Sequence, residues 1–457
     1  MLVGLFMATG AVPSHAATAP LEPLAPYRIR VFLALAPAPE LTAAFARDLM
    51  SDLPDQAESF LGAAWELSVA AVPAGLHFAT TTDIDTVSAE ELLKRSADFD
   101  KMTLLAIAPS AAGYQVTVRE LDVRTRTWNA PVTRTARHVA KLRDAAMRAL
   151  LAGFAPLGTI ETVDQQQVKV RLRASALAPR DPGLALLKPG DALRPVIRVN
   201  DAGGKGGQIA RPAWTLLRVE QVTPEKVDCR LECGLRGIEL TATRGRVESL
   251  ALGVAQTGRA TKLVLQSRLH PPQPLPGYDV YRIGSGDKSG AVLGRSNRDG
   301  VVQVPSGPAA MELLLVKAGD QALARLPLVP GAETEISVAL PDVAPLVEAQ
   351  GLLRGFQEEV VDQVTLREAL IARAKLQIQA KRFDDAAETV RALKELKTRD
   401  QLAMLLAADQ KRVTADDADL QHTIDSLFSE TAKLLDQHFD PDLIRKLDAD
   451  LKTARGK

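Results

Sequence analysis

Aromatic residues, cysteines and net charge are all scarce in this sequence of 457 residues. Phe, Trp and Tyr make up 4% of the chain, which argues against an aromatic platform on which bases or sugars could stack. Lys plus Arg and Asp plus Glu number 56 each, so no overall charge draws the chain to nucleic acid or to a membrane surface. No stretch is long and apolar enough to span a bilayer. We therefore predict no nucleic-acid partner and no transmembrane span.

The first residues, 1–16, have the pattern of a secretory signal peptide. An apolar run extends from Leu2 to Val12, and small residues at Ser14 and Ala16 match the small-x-small rule for signal cleavage. The basic residue that usually precedes such a run is missing from this sequence. The alternative is a buried apolar end that stays uncleaved. We expect cleavage and export, and hence a periplasmic or secreted protein.

What the sequence does contain is a succession of segments with different patterns, which predicts a multi-domain α+β protein. Its length suggests about two to four domains. Residues 27–156 predict a small α/β domain, because YRIRVFLALA (27–36) alternates like a strand. Leu41, Phe45 and Leu49 then recur every four residues, as on one face of a helix.

The stretch AIAPSAAGYQVTVRELDVRTRTW (106–128) contains two strand patterns joined at Ala111-Ala112-Gly113, which suits a hairpin turn. It resembles the TolB-amino-terminal-like domains of bacterial envelope proteins. The resemblance implies a docking module without catalytic residues. An unrelated small α/β sandwich is the alternative.

Residues 157–268 are a succession of short strand patterns separated by turns, which predicts a small β-barrel or sandwich. The predicted strands are QVKVRLRA (167–174), LRPVIRVN (193–200), WTLLRVEQV (214–222), KVDCRLECGL (226–235) and TKLVLQSRL (261–269). LLKPGDALRPVIRV (186–199) resembles the first strand of SH3-like β-barrels. Such barrels serve many functions, so the resemblance implies no particular activity.

Residues 269–342 predict a separate β-sandwich. MELLLVKAGDQALARLPLV (311–329) has strand patterns, and Asn297-Arg298-Asp299-Gly300 forms a turn before the strand VVQV. These stretches resemble the transthyretin-like or carboxypeptidase-regulatory-like fold, which implies a spacer or adhesion module. The proline-rich residues 270–274 would be a stiff linker before it.

Residues 343–457 are predicted to be helical and polar. Apolar residues recur at roughly helical spacing from Leu366 to Leu393, with a turn at Lys381-Arg382-Phe383. This pair of helices resembles one tetratricopeptide repeat. About three repeats are needed for a stable array, so a plain helical hairpin is the alternative. Asp440-Pro441 predicts the start of the last helix, and we expect these helices to allow self-association.

Cys229 and Cys233 are the only cysteines, and they offer the strongest candidate for chemistry. Apolar and polar residues alternate along KVDCRLECGL, which predicts a half-buried strand with both thiols on one face. Residues four apart on a strand lie about 13 Å apart, whereas a disulfide needs roughly 4.4–6.8 Å. Zinc would need two further ligands, and the nearest histidine in sequence is His270. We expect two reduced core cysteines; a disulfide, a metal site or a redox pair are the alternatives.

No other motif predicts catalytic, metal-binding or cofactor-binding residues. GGKGGQ (203–208) lacks the spacing of a phosphate loop and predicts the tip of a hairpin. Acidic pairs such as Glu358-Glu359 and Asp384-Asp385 suit helix starts or solvated faces. The histidines are scattered, so only the tertiary structure could gather them into a site. They are His15, His77, His138, His270, His422 and His438.

The neutral total hides an uneven distribution of charge. Residues 157–270 carry 18 Lys or Arg against 11 Asp or Glu, a net charge of 18 − 11 = +7. Residues 342–457 carry 18 against 22, a net charge of −4. The arginines of the barrel could face an anionic partner such as a cell-wall polymer, lipid headgroups or an acidic protein; ordinary solvated surfaces are the alternative. The arginines concerned are Arg171, Arg173, Arg198, Arg218, Arg230 and Arg236.

These patterns predict an exported, non-catalytic binding or scaffold protein of the bacterial cell envelope, with no cofactor. One alternative is a hydrolase with a composite site between domains. The other is a cytoplasmic regulator that uses its helical tail, which requires the amino-terminal segment to remain uncleaved.

Overall fold

A computed structural model describes residues 23–78, 81–96, 98–200, 207–235, 240–244, 246–269, 271–284, 290–319 and 321–456. Within these residues the chain divides into two compact units. Unit 1 contains residues up to 266 together with 272–317 and 322–339, and unit 2 contains 267–271, 318–321 and the residues from 340 onwards. Strands and helices both occur, so the predicted α+β fold class is confirmed.

Unit 1 begins with an α/β domain that contains six strands and four α-helices. The elements are β1 (Tyr27–Leu35), α1 (Ala43–Leu61), β2 (Trp65–Ala71), α2 (Thr81–Thr86), α3 (Ala89–Leu93), β3 (Lys101–Ser110), β4 (Gly113–Asp122), β5 (Thr127–Trp128), β6 (Val132–Ala136) and α4 (Leu142–Gly153). The sheet has the order β2-β1-β3-β4-β5, and β6 also pairs with β4. β1 is parallel to β2 and β3, whereas β4 is antiparallel to its neighbours.

The alternation of β1 places successive residues in two different cores. Ile29 and Val31 pack with α1 and α4 on one face, and Phe32 packs with α2 and α3 on the other. α1 begins after Thr42, whose hydroxyl accepts a hydrogen bond from the Phe45 backbone N–H at 3.2 Å. The predicted helix and strand patterns of this domain are therefore confirmed.

The predicted hairpin turn between β3 and β4 is also confirmed, and it requires glycine. Gly113 has a φ of +116°, in the region that side chains rarely adopt. A Cβ atom at Gly113 would lie 2.5 Å from the carbonyl oxygen of Ala136 on the neighbouring strand. Both the backbone and the close approach of β6 therefore select glycine here.

The barrel predicted from the short strands is a closed barrel of six antiparallel strands. It contains β7 (Leu157–Asp164), β8 (Gln167–Leu172), β9 (Ala192–Val199), β11 (Thr215–Val222), β12 (Val227–Cys233) and β13 (Val247–Gly253). Pairing runs in the order β9-β11-β12-β8-β7-β13 and closes where β13 pairs with β9. The short β10 (Gln208–Ala210) pairs with the other end of β9. Alternate apolar residues fill the interior, because successive side chains of a strand point to opposite faces.

The α/β domain and the barrel share one apolar core, so the predicted boundary between residues 156 and 157 runs through packed side chains. Val196, Leu250 and Leu252 of the barrel belong to the same buried cluster as α1 and α4. Sequence patterns locate changes of secondary structure, but they do not show which apolar faces meet.

One strand assigned to the barrel by its place in the sequence belongs elsewhere. The sequence predicted β14 (Thr261–Ser267) as part of the barrel. The strands that follow it are β15 (Asp279–Ile283), β16 (Ala291–Arg295), β17 (Val301–Val304), β18 (Glu312–Ala318), β19 (Gln321–Leu328) and β20 (Glu335–Leu340). β14 lies in a three-stranded sheet of order β17-β14-β20, and a second sheet has the order β16-β15-β18-β19. Two sheets agree with a sandwich, and the transthyretin-like resemblance stays a prediction.

Unit 2 is helical, as predicted. Its helices are α5 (Ala344–Gln379), α6 (Phe383–Glu395), α7 (Arg399–Arg412), α8 (Ala418–His438) and α9 (Pro441–Arg455). The predicted cap is confirmed, since Asp440 accepts a hydrogen bond from the Asp442 backbone N–H at 2.8 Å. α5 and α6 form the predicted hairpin, and buried residues of α6 and α9 pack beside its turn. The resemblance to a tetratricopeptide repeat stays a prediction.

Among the helices that the structure describes, none combines the length and the apolar character needed to cross a membrane.

Candidate functional site

The two cysteines lie on β12 and are both free thiols. Cys229 fills the barrel interior, where burial, aided by the neighbouring acidic side chains, raises the pKa of its thiol to about 12. Cys233 is exposed, at the position where β12 ends. The predicted strand and the absence of a disulfide between these cysteines are confirmed, but the prediction that Cys233 belongs to the core is wrong. Cys233 is exposed although it still pairs with Thr215 of β11, because the pairing of β12 with β8 covers only Val227 to Arg230.

The tertiary structure does not gather the histidines into a site. His77, His138, His422 and His438 are all exposed, while His15 and His270 lie outside the described residues. Within the described part of the chain, no group of His, Cys, Asp and Glu side chains is arranged to hold a metal ion. The glycines and lysine of GGKGGQ lie almost wholly outside the described residues, so the predicted hairpin tip stays a prediction.

The barrel arginines do not form a free cationic surface. Arg171 pairs with Glu161, and Arg173 Nη2 lies 2.9 Å from Asp100 Oδ2. Arg198 is buried beside Glu248. These three cations are therefore committed to acidic partners within the protein.

Two further barrel arginines share one carboxylate. Arg218 Nη2 lies 3.6 Å and Arg230 Nε 3.9 Å from Glu232 Oε1. Arg236 lies outside the described residues. Five of the six arginines thus have an acidic neighbour within the protein, which weakens the case for binding of an anionic polymer by these side chains.

The densest group of ionisable side chains is a buried cluster of Lys101, Glu120 and Asp122. Lys101 Nζ lies 2.8 Å from Asp122 Oδ2 and 3.3 Å from Glu120 Oε1. None of the three side chains is more than 3% exposed. Sheet register brings them together, because Lys101 pairs directly with Asp122 and Glu120 is two residues away on the same face of β4.

The cluster holds the segment that leads into the barrel. Lys101 Nζ donates to the Ala155 carbonyl oxygen at 2.5 Å, and Glu120 Oε1 accepts from the Ala155 N–H at 3.1 Å. The Tyr27 hydroxyl accepts from the Leu157 N–H at 2.8 Å and donates to the Leu157 carbonyl oxygen at 3.1 Å. These bonds bind the start of β7 to β1, β3 and β4. The cluster therefore joins the α/β domain to the barrel.

Burial and charge shift the pKa values of this cluster in different directions. Burial raises the pKa of Glu120 to about 7, although Lys101 opposes the change. For Lys101, burial alone would lower the pKa, but attraction by Asp122 and Glu120 outweighs it and raises the pKa. Burial also raises the pKa of Tyr27. A carboxyl group with a pKa near 7 suits general acid–base chemistry, yet Glu120 is sealed from any substrate.

Sequence reasoning missed this cluster, although a signal was present. The apolar run MTLLAIA (102–108) has the pattern of a buried strand, and Lys101 comes directly before it in the sequence. Lys101 is the first residue of the same strand, β3. Glu120 and Asp122 alternate on the opposite strand of the predicted hairpin. Counting residues outwards from the turn at Gly113 along both strands pairs Lys101 with Asp122.

A cavity of about 550 Å³ lies in unit 1 beside the cluster, and Phe154 contacts both. The Phe154 ring is 4.9 Å from the Tyr27 ring and 4.7 Å from the Trp65 ring, and Lys101 Nζ lies 5.4 Å from its centre. Eight apolar side chains line the cavity: Leu61, Trp65, Leu151, Ala152, Phe154, Leu184, Ala185 and Leu186. Three cationic side chains also line it: Arg134, Arg148 and Lys188.

Comparison with known proteins assigns no family. No protein-family model matches the chain, and no curated protein matches its sequence. Among solved structures, the chain is similar to the crystal structure of TolB from Acinetobacter baumannii, with 9% sequence identity and a TM-score of 0.18. The match covers 69% of this chain and 96% of that one. A TM-score this low carries no argument about fold or function.

Proposed function

We propose that this chain is an exported, non-catalytic binding or scaffold protein of the bacterial cell envelope. The observation that carries the proposal is the role of the Lys101–Glu120–Asp122 cluster. These side chains are buried, and their contacts are with each other, with Thr125 and Asn129 on either side of β5, and with Ala155 in the segment entering β7. A catalytic acid or base must reach its substrate. The cluster supports a structural role, in which it joins two modules.

Export is supported by the sequence of residues 1–16, which lie outside the described residues. The apolar run Leu2–Val12 and the small residues Ser14 and Ala16 suit cleavage before Ala17.

Self-association through unit 2 is supported by apolar side chains that its helices expose. Leu376 is 65% exposed, Val361 62% and Met404 72%. Large exposed apolar side chains on neighbouring helices are common where proteins associate.

Cell fractionation with sequencing of the mature amino terminus tests export. We expect a periplasmic protein that starts near Ala17. The matched variant Ala16→Tyr should accumulate uncleaved, because a large side chain does not fit the cleavage site. A full-length wild-type protein in the cytoplasm would contradict export and support the cytoplasmic regulator.

In vivo photo-crosslinking tests the scaffold function. The full chain should form adducts with envelope proteins, and a version that lacks residues 1–16 should not. The hydrolase alternative is tested by incubating the purified chain with ester, peptide and glycoside substrates. The non-catalytic proposal would be overturned if the wild type hydrolysed one of these substrates and a correctly folded Glu120→Gln variant did not.

A further inference from the structure

The cavity of unit 1 has the dimensions and the apolar wall of a small-molecule site. Its volume of about 550 Å³ lies within the roughly 300–1,000 Å³ typical of such sites. Leu61 at the end of α1 and Trp65 at the start of β2 are buried. Leu184 and Leu186, in the connection between β8 and β9, also line the cavity and are half-buried. An apolar chain would contact these side chains.

The charged residues of the cavity all have one sign. Arg134 of β6, Arg148 of α4 and Lys188 before β9 are exposed, and no carboxylate is among the residues that line the cavity. Within the described part of the chain, neither Arg134 nor Arg148 has a carboxylate within 4.0 Å. Both differ in this respect from Arg171 and Arg173 of the barrel. The rim is therefore complementary to an anion.

Trp65 adds an unused hydrogen-bond donor. The residue is 6% exposed, and its buried Nε1–H has no acceptor among the described residues. An unpaired buried donor is unfavourable, because it has lost its hydrogen bond to water.

We propose that this cavity binds one small amphipathic anion, which has an apolar chain and a carboxylate or phosphate head. The chain lies against Trp65 and Phe154, and the head lies at Arg134, Arg148 and Lys188. Binding forms and breaks no covalent bond. The site goes beyond the proposed scaffold function and does not depend on it.

Titration of the full chain with simple probes tests the proposal. The sequence has three tryptophans, so a Trp128→Phe/Trp214→Phe background makes Trp65 the only fluorescent indole. We expect saturable binding of decanoate at one site, with a change in Trp65 emission. Decyltrimethylammonium, which has the same chain and a cationic head, should bind at least about tenfold more weakly. Inorganic phosphate alone should bind too weakly to saturate. Calorimetry on the wild-type chain repeats the titration if the tryptophan substitutions disturb folding.

Two sets of variants locate the site. Arg134→Gln/Arg148→Gln should weaken decanoate binding by about tenfold or more. Arg137→Gln/Lys141→Gln removes the same charge from exposed residues of the same region outside the cavity, and it should leave binding unchanged. Ala152→Phe should fill the cavity and abolish binding whatever the head group.

Equal affinity for decanoate and decyltrimethylammonium would overturn the anionic specificity. Binding that survives both Ala152→Phe and the double arginine substitution would place the ligand elsewhere and overturn the site. If decanoate does not bind but phosphatidylglycerol vesicles do, in a way that needs Arg134 and Arg148, the cations serve a membrane surface and the proposal is wrong.

Discussion

Lys101 Nζ lies 2.8 Å from Asp122 Oδ2, and neither side chain is more than 1% exposed. The two residues are direct neighbours across β3 and β4. The same ammonium group donates to the Ala155 carbonyl oxygen in the segment that enters the barrel. The join between the α/β domain and the barrel therefore depends on an ion pair from which water is excluded.

Replacing Lys101 with methionine should destabilise unit 1 strongly. Removing one member of a buried ion pair leaves its partner charged and unpaired, which costs about 3–5 kcal/mol. All three tryptophans lie in unit 1, so urea unfolding followed by tryptophan fluorescence measures this unit. The control Lys141→Met, at an exposed site, should change the free energy of unfolding by about 0.5 kcal/mol or less. A loss below about 1 kcal/mol for Lys101→Met would show that the cluster does not stabilise the join.

Glu120 should make the stability of unit 1 depend on pH. Its pKa in the folded protein is raised from 4.5 to about 7, so the folded state holds a proton that the unfolded state has already lost. Stability attributable to this group is greatest below pH 4.5 and falls as the pH rises to about 7, by up to about 3 kcal/mol. Urea unfolding of the wild type and of Glu120→Gln at pH 5, 6, 7 and 8 checks this. The wild type should lose stability relative to the variant as the pH rises; parallel curves would contradict the raised pKa.

The two thiols should react at very different rates. Cys233 is exposed and should react with a thiol reagent in the folded protein, whereas Cys229 in the barrel interior should react only after unfolding. We expect one thiol per chain to react rapidly at pH 8 in the folded protein, and the second thiol to react when the protein is unfolded in urea. Cys233→Ser should remove the fast equivalent, and Cys229→Ser should leave it. Two fast equivalents in the wild type would show that the barrel interior is open to solvent.

Replacing glycine with alanine should have opposite effects on stability in α5 and at the β3–β4 turn. Gly351 and Gly355 lie in α5 with no atom within 4 Å of an added Cβ, so each substitution should stabilise unit 2 by about 0.5–1 kcal/mol. Gly113→Ala meets both a positive φ and the Ala136 carbonyl oxygen, so it should destabilise unit 1. Urea unfolding followed by far-UV circular dichroism measures the stability of the two α5 variants. Urea unfolding followed by tryptophan fluorescence measures the stability of Gly113→Ala. Stabilisation by Gly113→Ala would contradict the turn geometry.

Local periodicity was enough to predict most strands and helices. The alternation of β1, the helical stripe that begins at Leu41 and the turn at Gly113 all depend on residues close in sequence. Strand spacing predicted a barrel or a sandwich, but the predicted strands did not include β7 and β13, which close the barrel. β14 was misplaced because its neighbours β17 and β20 come later in the chain. The period of apolar residues and the spacing of strands along the sequence do not determine which distant strands pair.

The candidate sites also show which features follow from the sequence alone and which depend on the tertiary structure. The sequence by itself determined the alternation that places Cys229 and Cys233 on one strand, whose rise separates them by more than a disulfide spans. Only the tertiary structure decided that Lys101 meets Ala155, that Tyr27 bonds Leu157, and that Arg134 and Arg148 share a cavity with Trp65. The first result follows from backbone geometry within a few residues. The others depend on how separate apolar faces pack, which brings together residues as far apart as 130 positions.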